Sequence, residues 1–409
     1  MLSRKKTWTA GELKIKSDFN GIYIMELKEK HCWAEIDIDA IKYNYNLIKE
    51  TFGRPFYTVV KADAYGHGAK YLSKIYSELD TFGLCVSQFG EAMELRNAGI
   101  TKPILILGYT DPRRAYDLFK NNLTQTVFST EYASQLNNNA LYPVDCHIKL
   151  DTGMGRLGFD VWADKERAHN EIRNLLNFRN LRFTGMFSHF SVADSTGEKE
   201  LIHTQKQLEL FNETARMMDS WGFNLKVIHG QNSAGIARKL NGCYNTMRAG
   251  VILYGQQPSD EVIMPQIKPA MKLKTIVTHI KTIHAGQSVG YGMRFTAEAD
   301  TKVATIASGY ADGIPRLLAR TGHTVQINGK YYPIIGSVCM DQMMIDITGS
   351  DDIKMGDEVI VIDGRGENSY DRVAEKTFTV NYEVMCSVTR RVPRVYMENG
   401  TIKHIEYGM

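Results

Sequence analysis

A lysine separates an apolar run from a stretch of small residues in VVKADAYGHG, residues 59–68. The preceding YTVV is typical of a buried strand, so Lys61 would leave the end of that strand and point into the space beyond it. Burial lowers the pKa of a lysine, and its neutral amine can then form a Schiff base with a carbonyl compound. The motif therefore predicts covalent chemistry at Lys61.

Polar residues also stand at the ends of four later strand-like runs. They are His147, Lys149, Asp151, Arg156, Ser188, His189, His229, Asn232, Ser233 and Arg248. Each one alone is more often a satisfied core residue or a loop charge than part of a site. Core packing and loop charges explain much less well why all of these residues stand at strand ends. The pattern therefore predicts that they form one polar site.

Two of these segments suggest a phosphate site. Asn232-Ser233 and 248–251 follow neighbouring strand-like runs, and barrels often bind phosphate there through loop amides and a helix N-terminus. Gly250 permits close backbone approach, although a glycine after a strand is more often only a turn. A lysine with a phosphate site fits pyridoxal 5′-phosphate, a phosphorylated aldehyde. An aldolase acting on a sugar phosphate is the alternative at this point.

Eight β-rich runs alternate with amphipathic stretches from residue 34 to about 255. The runs cover residues 57–60, 82–86, 103–107, 124–128, 144–150, 182–188, 225–229 and 246–248. This count favours an α/β fold of the (β/α)₈ TIM-type barrel kind over a doubly wound open sheet. A barrel would bring the polar strand ends together at one rim, where such folds perform their chemistry.

Helical periodicity marks two of the intervening stretches. In 40–52 the apolar positions are Ile41, Tyr45, Ile48 and Phe52, and we expect Asp39 to cap the helix. In 201–221 the predicted buried face consists of Leu201, Gln205, Leu208, Phe211, Ala215 and Met218.

The predicted secondary structure changes after residue 260, where strand-like runs follow one another with few helical intervals. Asn328-Gly329 and Asn399-Gly400 each stand between two such runs, which predicts tight hairpin turns. We therefore predict a polar N-terminal extension over 1–32, a barrel domain over 33–262 and a mostly β-strand C-terminal domain over 263–409.

Composition excludes several classes of protein. The 409 residues are 43% apolar and 23% charged with a net charge of +3, and no Lys/Arg block follows residue 30, so nucleic acid is not an expected partner. No apolar segment is long enough to span a membrane, and the N-terminus is a poor signal peptide. The six cysteines form no CxxC pair or zinc spacing, which fits a reduced cytoplasmic protein without a metal.

VVKADAYGHG resembles the pyridoxal-lysine motif of the alanine racemase family. Further motifs of that family are similar, in the same order, to HIKLDTGMGRLGF, SHFSVAD, NSAG, MRAGVILYG, VGYGMRF, GYADGIPR, GSVCMDQ and NYEVMCSVTRRVPRVY, and the match covers residues 33–398. The resemblance implies interconversion of L- and D-alanine with pyridoxal 5′-phosphate. It also implies a homodimer with shared active sites that supplies D-alanine for peptidoglycan.

The resemblance assigns two catalytic residues on opposite faces of the substrate carbon. Lys61 would carry the cofactor and act as one acid/base, and Tyr291 of the partner subunit would act as the other. Arg248 would contact the pyridine nitrogen, His189 would hold Arg248, and His229 would lie beside the cofactor ring.

The other implied roles concern the cofactor and the substrate. The further cofactor-binding residues would be Tyr65, Asn232, Ser233, Gly250, Val251 and Tyr382. Arg156 would bind the substrate carboxylate and the cofactor's phenolic oxygen, with help from the backbone of the partner's Met340. Asp341 would help to position the catalytic Tyr291. Tyr310 and Tyr382 would narrow the entrance through which the substrate reaches the site. Lys149 matches the residue that some members carry as a carbamate, which would orient Arg156.

Three alternatives remain beside this prediction. A racemase of the same fold could prefer serine or a basic amino acid, because the motifs define the reaction better than the substrate. A pyridoxal-dependent decarboxylase would need an acidic partner at the pyridine nitrogen, where this chain has Arg248. A cofactor-handling barrel without enzymatic activity would lack the C-terminal β domain.

Overall fold

The computed structural model describes residues 31–53 and 55–408. The predicted N-terminal extension therefore lies almost wholly outside the described residues. Within the described ranges, no helix is both long and apolar enough to cross a membrane.

The strands are, in chain order, β1 (Cys32–Asp37), β2 (Tyr57–Val59), β3 (Gly83–Val86), β4 (Ile104–Ile106), β5 (Leu123–Val127), β6 (Val144–Asp151), β7 (Phe159–Asp160), β8 (Leu181–Phe187), β9 (Val227–His229), β10 (Arg248–Ala249), β11 (Met271–Ile283), β12 (Ser288–Val289), β13 (Phe295–Thr296), β14 (Thr301–Ile306), β15 (Thr324–Ile327), β16 (Lys330–Ile335), β17 (Met343–Asp346), β18 (Glu358–Ile362), β19 (Arg394–Glu398) and β20 (Thr401–Glu406).

The right-handed α-helices are α1 (Ile38–Phe52), α2 (Ala69–Glu78), α3 (Phe89–Asn97), α4 (Ala115–Lys120), α5 (Thr130–Asn139), α6 (Lys165–Asn174), α7 (Glu198–Ser220), α8 (Ser233–Ala237), α9 (Tyr370–Thr377) and α10 (Asn381–Cys386). Short 3₁₀ turns occupy Pro112–Arg114, Leu175–Asn177, Val251–Tyr254, Tyr291–Met293, Tyr310–Asp312 and Arg316–Arg320. The segment Lys61–Tyr65 is a left-handed turn and is described with the site.

Eight parallel strands form one sheet in the order β10-β2-β3-β4-β5-β6-β8-β9. A single parallel bridge between His229 and Thr246 nearly closes this sheet into a barrel. All eight predicted runs form its strands, which confirms the barrel. Strands β3 and β4 are buried along their whole length, as expected where helices cover one face and the barrel interior the other.

The helix α1 confirms one prediction and corrects another. Ile41, Tyr45 and Ile48 are buried as predicted. The predicted cap at Asp39 was wrong, because the N-cap is Asp37, whose side chain accepts from the Ala40 amide at 2.9 Å. Asp39 instead lies in the first turn, where a carboxylate is favourable near the positive end of the helix dipole.

The buried face of α7 is rotated slightly from the prediction. Leu208, Phe211, Ala215 and Met218 are buried, but Leu201 and Gln205 are exposed. Gln207 is buried in their place because its Oε1 accepts from the Ser191 amide at 3.0 Å. A polar side chain on the buried face thus provides the hydrogen-bond acceptor for a backbone amide of the loop after β8. The periodicity of apolar residues alone does not predict such a position.

The described residues form two compact units, and both are discontinuous in sequence. One unit contains residues 37–271 and 364–389, and the other contains 31–36, 272–363 and 390–408. This division departs from the predicted boundaries at 33–262 and 263–409 in three places, the first being that residues 263–271 belong to the barrel unit. Strand β1 joins the nine-stranded sheet of the second unit, and α9 and α10 belong to the barrel unit.

The second unit is built on a sheet ordered β14-β17-β16-β15-β18-β11-β1-β19-β20. Antiparallel pairs dominate it, and the two predicted hairpins connect β15 with β16 and β19 with β20. Asn328 and Gly329 have φ of 50° and 79°, and Asn399 and Gly400 have φ of 50° and 70°. Positive φ at both central residues is what such a two-residue turn requires, so both predictions are confirmed.

Candidate active site

A cavity of about 580 Å³ opens in the barrel unit, where the barrel strands end. Eleven of the predicted site residues line it: Lys61, Tyr65, Lys149, Arg156, His189, Asn232, Ser233, Arg248, Gly250, Val251 and Tyr382. They come from five different strand ends and from α10. The barrel therefore brings together residues that are more than 300 positions apart in the sequence.

The segment that carries Lys61 is a left-handed turn. Ala62, Asp63, Ala64 and Tyr65 have φ of 52°, 53°, 55° and 53° in succession. This conformation costs roughly 1–2 kcal/mol for each non-glycine residue, so contacts around the turn must offset it. The Ala64 amide donates to the Val60 carbonyl at 2.9 Å, and the Ala69 amide donates to Asp63 Oδ1 at 2.8 Å.

The turn presents Lys61 and Tyr65 to the same cavity. Lys61 Nζ lies 6.0 Å from the centroid of the Tyr65 ring. Burial lowers the pKa of Lys61, and the positive charge of Arg156 lowers it further, while Glu91 acts in the opposite direction. Burial and Arg156 both make the neutral amine, which is the nucleophilic form, more accessible than in a free lysine.

Arg248 crosses the inner wall of the cavity and is held by neutral acceptors. Its Nη2 donates to the Ser188 carbonyl at 2.7 Å, and its Nη1 donates to the His229 carbonyl at 3.0 Å and to His229 Nδ1 at 2.6 Å. His189 Nδ1 is more distant, at 3.4 Å from Nη2. Burial lowers the pKa of Arg248 to about 10, so the guanidinium keeps its proton near neutral pH.

His229 and His147 extend this network behind Arg248. Because Arg248 can only donate, His229 Nδ1 must accept, and the proton on its Nε2 is available for His147 Nδ1 at 3.0 Å. Burial lowers the pKa of both histidines, that of His147 to about 3, so both rings are neutral. Phe187 stacks on the His229 ring at 4.8 Å and keeps its plane fixed.

His229 thus supports Arg248 instead of facing the cavity. His147 was predicted at a strand end, but no role was assigned to it. Its position in β6, two residues before Lys149, was the available signal. The role of His147 in the network depends on pairing across the barrel, which the sequence pattern does not report.

A backbone cradle lies where the phosphate site was predicted. The Gly250 amide donates to Ser233 Oγ at 3.1 Å. A Cβ at residue 250 would come within 2.9 Å of Tyr65 Oη and 3.4 Å of Ser233 Oγ, so only glycine leaves this space open. The Tyr382 ring lies 6.1 Å from the Tyr65 ring. Asn232 caps α8 by accepting from the Gly235 amide at 3.0 Å.

The loop that carries Arg156 is organised by one carboxylate. Asp151 Oδ1 accepts from the amides of Gly153, Met154 and Gly155 at 2.9–3.1 Å, and Oδ2 accepts from the Arg156 amide at 3.1 Å. Burial raises the pKa of Asp151, but these amides outweigh it, and the pKa is lowered overall. The motif was predicted from the sequence, but this function of its aspartate was not.

Lys149 lies in the same wall, fully within the barrel. Its Nζ donates to the Leu150 carbonyl at 2.7 Å and lies 5.4 Å from the centroid of Phe187. Burial, reinforced by the charge of Arg248, lowers the pKa of Lys149 to about 7. A substantial fraction of this amine is therefore neutral near pH 7.

Four predicted residues belong to the β-sheet unit and do not line the cavity. Tyr291 is 74% exposed, and its carbonyl accepts from Ser337 Oγ at 3.0 Å. Tyr310 donates its amide to the Cys339 carbonyl at 3.0 Å, next to Met340 and Asp341.

Asp341 is tied into the same unit by a charge network. Arg391 donates to Asp341 at 2.9 Å and to Asp312 at 2.8 Å. Segment 337–341 thus connects all four predicted residues, which form a largely exposed group on the unit.

Two family models match the chain over nearly all of its described part. The model described as alanine racemase, N-terminal domain matches residues 36–258, and that described as alanine racemase, C-terminal domain matches residues 270–396.

Curated relatives and solved structures agree with these models. The alanine racemase of Clostridium novyi is 40% identical over 90% of this chain and 96% of its own, and alanine racemase 1 of Clostridium acetobutylicum is 40% identical over 91% and 97%. Among solved structures, alanine racemase of Clostridium difficile 630 has a TM-score of 0.86 at 38% identity over 92% of this chain and 98% of its own.

The alanine racemase of Bacillus anthracis, solved with bound L-Ala-P, has a TM-score of 0.85 at 34% identity over 92% of this chain and 97% of its own. These identities and coverages, together with the two family models, are far above what a shared barrel fold alone would give. The chain belongs to the alanine racemase family.

Proposed function

We propose that this chain interconverts L- and D-alanine, with pyridoxal 5′-phosphate bound in the barrel cavity and Lys61 and Tyr291 as the two catalytic acid/bases. The observation that carries the proposal is the composition of the cavity. It combines a lysine of lowered pKa, a glycine cradle and two arginines, Arg156 and Arg248, with different surroundings. The curated relatives carry the name of the same reaction.

The residues present fit this cofactor. The open space at Gly250, bordered by Tyr65 Oη and Ser233 Oγ, offers hydroxyl donors to a phosphate group. The lowered pKa of Lys61 favours the amine form that can attack an aldehyde. The cavity of about 580 Å³ is within the range of small-molecule sites.

When bound, pyridoxal 5′-phosphate supplies an electron sink for the negative charge that develops on the substrate Cα. Lys61 takes or returns the Cα proton on one face, and Tyr291 Oη does so on the other. Arg156 binds the substrate carboxylate, because a guanidinium matches it in shape and charge. Arg248, which keeps its proton, would hold the ring on the side of its pyridine nitrogen, and its positive charge would disfavour protonation of that nitrogen.

We also propose that Lys149 carries a carbamate. Its neutral amine would attack carbon dioxide, forming an N–C bond and releasing one proton. The product is an anion, so the repulsion of Lys149 by Arg156 and Arg248 would become attraction. A crystal structure with a bare ammonium, or with chloride beside Arg156, would refute this modification.

The proposal includes a homodimer with shared active sites. Tyr291 is 74% exposed in its own unit, as expected for a side chain that completes the site of a partner subunit. Met340, 52% exposed, and Asp341 are proposed to act from the same side. Sedimentation analysis tests this assembly, and an active monomer would contradict it. The cytoplasmic location and the supply of D-alanine for peptidoglycan stay predictions.

A decarboxylase of similar architecture is disfavoured because the inner wall of the cavity carries Arg248 instead of an acid. Serine or a basic amino acid as the preferred substrate is tested by comparing rates across L-amino acids. A higher kcat/KM for any of them than for alanine would overturn the specific substrate.

The central experiment measures the visible absorbance of the purified protein and then treats it with borohydride. Mass spectrometry should locate the reduced cofactor on Lys61. Tyr291→Phe should leave the absorbance intact and reduce racemisation at least 100-fold, the lower range of general acid–base contributions. Retained activity in this variant would contradict the two-base assignment.

A further inference from the structure

The carboxylate of Glu91 joins the turn that carries Lys61 to the next strand of the barrel. Its Oε1 accepts from the Ala62 amide at 2.6 Å. Its Oε2 accepts from the amides of Ser87 at 2.6 Å and Gln88 at 3.0 Å. One side chain in α3 thus binds three backbone donors from two separate loops.

The two loops follow neighbouring strands. Strands β2 and β3 are parallel and paired, with Val59 opposite Cys85, so the chain leaves both strands at the same rim. Ala62 comes directly after Lys61 and begins the run of left-handed residues. A bond to its amide therefore restrains the backbone at the residue next to the catalytic lysine.

We propose that Glu91 is a positioning residue for Lys61, holding the left-handed turn so that the lysine amine faces the cofactor. This inference rests on the proposed function, because it concerns the attachment of the aldehyde. Glu91 does not line the cavity, and it acts through the backbone of Ala62.

A simpler role for Glu91 is that of a helix cap. Glu91 is the N3 residue of α3 and takes part in a capping box with Gln88. That role needs only Oε2, whereas Oε1 is used wholly outside the helix, on Ala62.

The test compares two forms of the cofactor in Glu91→Gln. Glutamine has one acceptor oxygen, so it cannot serve both loops, and its NH₂ group would face a backbone N–H. Pyridoxal 5′-phosphate can bond to Lys61 through its aldehyde, whereas pyridoxamine 5′-phosphate has no aldehyde and would bind without that bond. The two dissociation constants are measured by equilibrium dialysis against the full-length protein as purified.

Ser129→Ala is the matched control, because Ser129 caps α5 by accepting from the Tyr132 amide at 3.1 Å and does not line the cavity. We expect Glu91→Gln to bind pyridoxal 5′-phosphate about 10-fold more weakly or worse, with slower borohydride capture on Lys61. Binding of pyridoxamine 5′-phosphate should stay within about 2-fold of the unsubstituted protein. The control should change neither constant by more than about 2-fold.

Two results would overturn the inference. Equal weakening of both ligands would mean that Glu91 maintains the whole site, and unchanged binding of both would mean that it is only a cap. Failure of the proposed function is distinguishable, because the unsubstituted protein would then yield no borohydride adduct on Lys61.

Discussion

Replacing Asp151 by asparagine tests whether one carboxylate sets the position of Arg156. The asparagine oxygen can still accept from the amides of Gly153, Met154 and Gly155. Its NH₂ group would then face the Arg156 amide, so that one hydrogen bond is replaced by two opposed donors. The change retains size and shape and acts on the residue proposed to bind the substrate carboxylate.

The expected effect follows from the single bond that is lost. A hydrogen bond to a charged group contributes about 1.5–3 kcal/mol, which corresponds to roughly 10- to 150-fold in kcat/KM. The loss should appear mainly in KM, because Arg156 is proposed to hold the carboxylate before and during proton transfer. Visible absorbance of the cofactor should persist, since Lys61 and the Gly250 cradle do not contact Asp151.

The assay is racemisation of L-alanine and of D-alanine, followed by chiral chromatography. Both directions should lose the same factor, because the two products have equal energies in solution. Asp160→Asn is the control, since Asp160 accepts from the Ala163 amide at 2.9 Å and supports only the start of the next turn. A decrease below about 3-fold, or loss of the cofactor along with activity, would refute the assigned role of Asp151.

Two further predictions concern the cradle and the buried lysine. Gly250→Ala places a Cβ 2.9 Å from Tyr65 Oη and should weaken cofactor binding about 10- to 100-fold in equilibrium dialysis. Gly90→Ala is the control, because a Cβ at residue 90 would have no atom within 4 Å, and it should not weaken binding. Equal affinities of the two variants would contradict the proposed cradle. Burial lowers the pKa of Lys149 in the folded protein to about 7, from an ordinary 10.5. Between pH 7 and pH 10.5 the unfolded chain therefore binds one more proton at Lys149 than the folded protein does, so the free energy of unfolding should rise with pH. Urea denaturation in carbon dioxide-free buffer should show a rise on the order of a few kcal/mol that Lys149→Met removes, and an unchanged slope in that variant would contradict the assignment.

The barrel was predictable because its signal is local and repeated. Each strand corresponds to a short β-rich run in the sequence, and the number of runs favours a closed barrel over an open sheet. The hairpins at Asn328-Gly329 and Asn399-Gly400 were predictable for a similar reason, since the required positive φ selects those residue types. The buried face of a helix was predicted less accurately, because Leu201 and Gln205 were expected to be buried and are exposed.

The contents of the cavity were predictable only in part. Lysine, arginine and glycine at strand ends indicated a site, and the family resemblance supplied roles for them. The roles of Asp151 and His147, and the involvement of Glu91, were not predicted because their partners are backbone amides or residues on other strands. A carboxylate that binds amides leaves no pattern of side chains in the sequence beyond its own position.

The left-handed turn shows why such residues are needed at this site. In either hand of helix, residues four apart lie on one face, so Lys61 and Tyr65 would share a face in an ordinary turn as well. The left hand changes the direction in which the chain leaves β2, and it stores roughly 4–8 kcal/mol across Ala62–Tyr65. The sequence KADAY contains good formers of right-handed helix, so nothing local selects the observed conformation.

Tertiary contacts must therefore impose it. Gly66 has φ of 81°, and a Cβ there would lie 2.3 Å from the Met385 carbonyl, so α10 packs directly against the end of the turn. Glu91 holds the beginning of the turn through the Ala62 amide. Release of either contact should let the turn relax toward the right-handed form and withdraw Lys61 from the cavity. The position of the Lys61 amine is thus determined by the barrel around it, while the sequence next to Lys61 only permits it.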